Sequence, residues 1–235
     1  MKKKPTTLFE MATDLTCLLP KDDTSDEPKE REELKEDDDP NVGRHVQVKA
    51  TVNRHVMSRV LSELALEKEL PWHFEQGITY HCISFGDVDS LTFLRVIVKQ
   101  QRIKYALVST WVCSSADIDE IRGWIERGYI GRVDFYIGEI FKGSYPAQYS
   151  ALTALCKEFG GRVAICRNHS KVIVTLGERF DAVVESSANV NHNPRIEQAC
   201  ITVDSELAEW YKEFFDGIIS FERNFDDVQP WQPES

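Results

Sequence analysis

His169 and Lys171, separated by Ser170, open a β-type run that continues to Leu176. Side chains two apart on a strand point to the same face, so the imidazole and the ammonium are expected to project together. A second polar cluster, Ser186-Ser187-Ala188-Asn189, follows the next β-type run, Phe180 to Glu185. Only Gly177-Glu178-Arg179 joins the two runs, too short for a parallel crossover, so an antiparallel hairpin is predicted. With the turn near Glu178, facing residues have numbers summing to about 356, which sets His169 opposite Ser187 and Lys171 opposite Glu185. An imidazole able to act as nucleophile or acid–base, an ammonium, a hydroxyl and an amide in one pocket form a receptacle for a phosphodiester. The lysine offsets charge on the phosphate oxygens, and Ser187 and Asn189 donate hydrogen bonds that fix them. This chemistry requires no metal.

The elements that must position these groups follow from the apolar pattern. Strands are predicted over Tyr80 to Phe85, Tyr105 to Thr110, Arg132 to Ile137, Arg162 to Cys166 and Gln198 to Val203, besides the two arms of the hairpin. Helices are predicted over Ser90 to Lys99, Ser115 to Arg127, Tyr145 to Phe159 and Ser205 to Gly217, with glycine stop signals at Gly128 and Gly160-Gly161. Strands alternating with helices imply an α/β fold whose mixed, mostly parallel sheet is flanked by helices on both faces. Apolar residues at helical spacing (Val56, Val60, Leu61, Leu64) predict one amphipathic docking helix from Asn53 to Leu70, within a 46–75 docking-and-linker segment. The main domain is expected over 76–220, followed by a C-terminal tail over 221–235, of which Asp226 to Ser235, with Pro230 and Pro233, is expected to be loose.

Residues 1–45 combine low hydrophobicity with dense charge and are predicted to form a disordered acidic arm with a short helical patch at Leu8 to Leu19. Of the net charge of −11, the stretch Lys21 to Asp39 holds eleven acids against four bases, so the other residues carry only −4. Overall acidity argues against a general polyanion binder, because Lys and Arg supply most affinity for nucleic acid, but the segregation of the acids weakens that objection. Six cysteines scattered without a Cys-x-x-Cys pair read as small core residues, and no His/Cys spacing suits zinc. No apolar run reaches the roughly 20 residues that a bilayer crossing requires, and the N-terminus lacks a secretion signal's apolar core, so no membrane association and a cytoplasmic location are expected.

Taken together, these residues resemble the phospholipase D superfamily, whose signature is His-x-Lys, four residues, Asp, then a Gly-Ser-x-Asn element. His169-Ser170-Lys171 matches the first part and Ser186-Ser187-Ala188-Asn189 the second, while Glu197 in Asn193-Pro194-Arg195-Ile196-Glu197 matches a downstream acid. Leu176 stands at the Asp position and Ser186 at the glycine. The resemblance spans roughly Tyr80 to Gly217, and the fuller wording of both motifs looks like a branch met in phage and mobile-element proteins. It implies that His169 attacks phosphorus to give a phosphohistidine, Lys171 and Asn189 hold the phosphate, Ser187 assists and Glu197 orients the imidazole. His192, Arg195 and Thr110 would extend the pocket. Members of the family use two such histidines and this chain has one copy, which implies a twofold homodimer with both motifs at the interface. No cofactor and no metal are implied.

Each element also has a purely structural reading. His169 with Lys171 could be a strand-end pair, and Ser186 to Asn189 a turn rich in residues that favour turns locally. The presence of both halves one hairpin apart favours the phosphate site. Gly86-Asp87-Val88-Asp89-Ser90 could offer two carboxylates to a divalent ion, but a helix cap fits it better, and Trp111 reads as core. The leading expectation is a metal-independent phosphodiesterase acting through phosphohistidine, and in particular a nuclease. The alternatives are an inactive phosphate- or nucleic-acid-binding or dimerisation module, and a lipid or small-molecule phosphodiesterase.

Overall fold

The computed structural model describes residues 54–59, 63–85, 88–190 and 195–233. In chain order the elements are β1 (Arg54–Arg59), α1 (Glu63–Glu69), β2 (Ile78–Ser84), α2 (Ser90–Gln100), β3 (Ile103–Thr110), α3 (Ser115–Glu126), β4 (Ile130–Gly138), α4 (Phe141–Ser144), α5 (Pro146–Phe159), β5 (Val163–Cys166), β6 (Val172–Gly177), β7 (Asp181–Ser186), β8 (Glu197–Val203) and α6 (Ser205–Asp216). Local chemistry accounts for the helix ends. Asp89 caps α2 by accepting from the Thr92 amide at 2.9 Å, and Ser114 with Asp117 forms a capping box at the start of α3. Gly160 closes α5 in the left-handed conformation, φ 73°. The cap reading of Asp89 therefore holds, while Asp87 lies outside the described residues.

The strands form one eight-stranded sheet in the order β1-β2-β8-β7-β6-β3-β4-β5. The pairs β1/β2, β3/β4 and β4/β5 are parallel, and β2/β8, β8/β7, β7/β6 and β6/β3 are antiparallel. The sheet is mixed as expected, but its centre is antiparallel, which corrects the mostly parallel expectation. The cause lies in the hairpin, whose arms β6 and β7 occupy the middle of the sheet beside β8 instead of lying at an edge. Both faces are covered. Leu91, Leu94 and Ile97 of α2, Ile121 and Trp124 of α3 and Leu152 and Leu155 of α5 pack on one face. On the other, Ala208 and Phe215 of α6 cover Tyr105, Leu107, Tyr136 and Val183.

Two expectations are overturned. The single helix foreseen over 53–70 is a strand followed by a short helix: Arg54 to Arg59 pair in parallel with Ile78 to Ile83. Val56 serves a strand as readily as a helix, and the open edge of β2 offers backbone partners that a helix would forgo. The stretch from Asp226, expected to be loose, is tied down by Gln229 O, which accepts from Arg132 at 2.9 Å, and the residues before it are also fixed. Phe221 donates its amide to Ile165 O at 2.8 Å and Ser220 Oγ accepts from Ile165 N at 2.9 Å, so the chain covers the free edge of β5. Phe225 is then buried in the first core cluster, and Trp231 stacks on Tyr105 across the sheet, centroids 5.1 Å apart. The acidic arm and its helical patch lie outside the described residues.

The hairpin forms as predicted with a register one residue away from that foreseen. Val172 faces Glu185 and Ile173 faces Val184, so Lys171 comes opposite Ser186, whose amide donates to Lys171 O at 3.0 Å. A one-residue slip exchanges the faces. Glu185 accordingly turns to the α6 side, where Tyr211 Oη donates to it at 2.5 Å, and Lys171 has Ser186 as its neighbour instead.

Candidate functional site

The carboxyl ends of β2, β3 and β7 and the amino ends of β6 and β8 meet at one end of the sheet, the end where open α/β sheets place ligands. The His169–Lys171 segment enters there as a tight turn built on Asn168. Its buried amide donates to Tyr136 O at 2.7 Å and to Ser109 Oγ at 2.9 Å, on two different strands. Its Oδ1 accepts from Ser170 N at 2.9 Å and Ser170 Oγ at 2.6 Å, and the two serine hydroxyls of 109 and 170 lie 2.6 Å apart. Residue 168 thus pins the turn to the core by its side chain and leaves His169, between the pinned positions, exposed to solvent.

Lys171 curls back on this turn. Its Nζ donates to His169 O at 2.6 Å and lies 3.0 Å from Nδ1 and 3.3 Å from Nε2 of the same ring. Burial lowers the pKa of Lys171 from the ordinary lysine value, and the Glu197 carboxylate opposes that shift. The imidazole also leans on Trp111, ring centroids 5.4 Å apart and planes inclined at 54°. Trp111 can lie there because β4 ends in glycine: a Cβ at Gly138 would collide with the indole and come within 3.0 Å of the Asn168 carbonyl.

The second half of the site closes over the first. Ser187 Oγ donates to Glu197 Oε2 in a very short contact, and accepts from Gln198 N at 3.0 Å, which locks the start of β8 to the end of β7. Ser186 accepts from Ala188 N at 3.0 Å and so stabilises the turn with its own hydroxyl. Asn189 is half-buried, with Oδ1 turned inward to the Trp111 amide at 3.3 Å and Thr110 Oγ1 at 3.4 Å. Its Nδ2, the donor a phosphate oxygen needs, is on the opposite side of the amide. Ser90 N, at the start of α2, fixes the Asn189 carbonyl at 3.3 Å.

The remaining site candidates fare unequally. Thr110 is fully buried, and its hydroxyl donates to Val112 O at 2.9 Å and accepts from Val190 N at 3.1 Å, so it supports the Asn189 loop from behind instead of lining an open pocket. Arg195 is exposed, and His192 lies outside the described residues. Glu197, expected to orient the imidazole, is brought to Ser187 and acts on Lys171 through its charge. Leu176 sits at the far end of β6 and packs toward the α6 face, directly across from Asp181, whose carboxylate accepts from Gly177 N at 3.0 Å. Trp111, read as core, joins the two halves through its amide and its ring. Asn168 and Gly138 were not singled out. An Asn immediately before the His-Ser-Lys triplet, with serine two residues on, is an Asx-turn signal that could have revealed the first.

No family model and no curated protein matches the chain. Among solved structures it is similar to the phosphatidylserine synthase of Haemophilus influenzae, at 16% identity over 58% of this chain and 38% of that one, TM-score 0.42. It is also similar to the polyphosphate kinase of Porphyromonas gingivalis, at 16% identity over 64% of this chain and 24% of that one, TM-score 0.37. The chain therefore spans well under half the length of either.

Proposed function

We propose that the chain is a phosphodiesterase of the phospholipase D kind, with His169 as nucleophile, and that nucleic acid is its substrate. What supports this most is the placing of one solvent-exposed imidazole against the Lys171 ammonium, at the end of the sheet where Ser187, Asn189 and Glu197 converge. In this reading His169 attacks phosphorus, the P–O bond to the leaving group breaks, and water later hydrolyses the phosphohistidine. Lys171 releases the His169 carbonyl to meet the phosphate oxygens, Asn189 Nδ2 donates to them, and the Ser187–Glu197 pair holds the far wall. The leaving oxygen needs a proton from a second group. A second copy of the chain, related by a twofold axis, would bring its own His169 for that task.

The test is cleavage of single-stranded and plasmid DNA and of a model diester in EDTA, with His169→Ala and Lys171→Ala beside the wild-type chain. Cleavage that survives the chelator and is lost in both variants is expected, together with sedimentation as a dimer. Turnover by the His169→Ala protein, or full activity in a strict monomer, sinks the proposal. A second reading, a phosphate-gripping module without turnover, is favoured by Leu176 at the acid position; oligonucleotide binding with no cleavage under any condition would establish it.

A further inference from the structure

At the opposite end of the sheet, Trp72 is 85% exposed. A floppy loop would explain this, but the loop is not floppy. Gln100 at the end of α2 donates through Nε2 to Pro71 O at 3.1 Å and accepts through Oε1 from Phe74 N at 3.0 Å, fixing the segment on either side of Trp72 and His73. The neighbouring Gln101, itself buried, does the same for the β6–β7 turn: its Oε1 accepts from Arg179 N at 2.9 Å and Phe180 N at 3.1 Å, and its Nε2 donates to Phe180 O at 2.8 Å. Two adjacent glutamines therefore brace two walls, and each wall presents a residue of use to a ligand, an indole on one and the Arg179 guanidinium on the other.

Between and beside these walls run a pocket of 260 Å³ and an adjoining shallow, open depression of 560 Å³ that share Lys99 and Gln100. Their lining carries four cations, Lys99, Arg102, Arg127 and Arg179, against one carboxylate, Glu67, in a chain whose net charge is −11. Glu178 approaches Arg102 only at 3.8 Å. At the far side Tyr129 is 48% exposed, with the Arg127 guanidinium 5.6 Å above its ring. Two exposed aromatic rings, one in each depression, together with the cations that line them match the needs of unpaired bases, which stack, joined by phosphates, which pair with charge. A duplex offers no splayed bases to stack.

We infer that this end of the sheet is a second, non-catalytic groove that binds single-stranded nucleic acid, with bases stacked on Trp72 and Tyr129 and phosphates held by Arg102, Arg127 and Arg179. The groove does not rest on the phosphodiesterase reading, since it lies at the end of the strands away from His169. If both are right, the groove tethers a strand while the other end acts on it.

The experiment is a fluorescence-anisotropy titration of a short labelled oligothymidylate with the full chain carrying His169→Ala, so that the probe is not consumed. Adding Trp72→Ala is expected to weaken binding roughly tenfold, and Trp72→Phe to restore most of it. Arg102→Gln with Arg127→Gln should reduce the slope of log affinity against log salt by about 0.7 per cation removed. Unchanged affinity in the Trp72→Ala protein, or binding only to anionic vesicles or to another protein, overturns the inference. Turnover of a small model diester by Trp72→Ala in the otherwise wild-type chain separates the two readings. Loss of oligonucleotide binding with turnover intact supports the groove. Binding through Trp72 in a chain that cleaves no diester keeps the groove and removes the catalytic proposal.

Discussion

The two ends of the sheet solve one problem in different ways. Each displays an exposed group on a bracing side-chain amide: buried Asn168 beneath His169 at one end, half-buried Gln100 and buried Gln101 beneath Trp72 and Arg179 at the other. At the first the brace is the neighbour in sequence of the group it displays. At the second it comes from α2, 26 and 78 residues away along the chain. A polar side chain on the surface has many rotamers to lose, and a buried amide with several partners fixes the backbone beneath it so that less is lost on binding. Contiguous bracing leaves a motif that can be read in the sequence, and long-range bracing leaves none.

Separating the brace from the displayed group sharpens this comparison, and the widest gap is expected at the first end. Asn168→Ala removes the donor to Tyr136 O and Ser109 Oγ and the acceptor of Ser170 N, leaving the two serine hydroxyls only each other, and a loss of about 3 kcal/mol in urea unfolding is expected. His169→Ala, at an exposed position, should stay within about 0.5 kcal/mol of wild type, so equal losses in the two variants would break the distinction. Gly138→Ala, which drives a methyl into Trp111, should cost about 2 kcal/mol and shift the His169 ring resonances in NMR. At the other end, Gln101→Ala should cost about 1.5 kcal/mol and speed amide exchange at Arg179 and Phe180 without touching the His169 signals. The smallest effect concerns Lys171. Burial favours its neutral form, so tetrahedral-anion binding, followed with tungstate, should fade at a lower pH than an ordinary lysine would allow. Glu197→Gln removes the charge that opposes this and should move that alkaline limb lower still; a limb that moves upward would contradict the assignment.

Much of the architecture was legible because it is local. Strands rich in β-branched residues, the glycine ends of α3 and α5 and the three-residue hairpin all announce themselves within a short window. The hairpin register was missed by one residue for a reason outside that window: Gln101 takes the amides of Arg179 and Phe180, so a side chain from another element sets how the turn closes. The strand Arg54–Arg59 was missed because its pattern suits a helix equally, and an open edge on β2 decided between them. The tail was misread because two prolines and scattered charges masked Phe221, Phe225 and Trp231, whose partners lie on β5 and β3. In the candidate site, His169, Lys171, Ser187 and Asn189 could be named from the hairpin spacing, and Glu197 from the family resemblance alone. Asn168 and Gly138 could not, because what they do depends on which strands lie beside them.

The place of β8 has a consequence for how the molecule is made. It pairs with β2 on one side and β7 on the other, so the β1–β2 edge joins the sheet only through a strand that begins at Glu197. During synthesis the edge of β2 that faces β8 must wait, its backbone groups satisfied by water, until the chain past Glu197 has emerged. Because Glu197 also secures Ser187, the candidate site closes in that same late step. A ribosome-bound fragment stopped short of it would carry the His-Ser-Lys turn with no opposite wall.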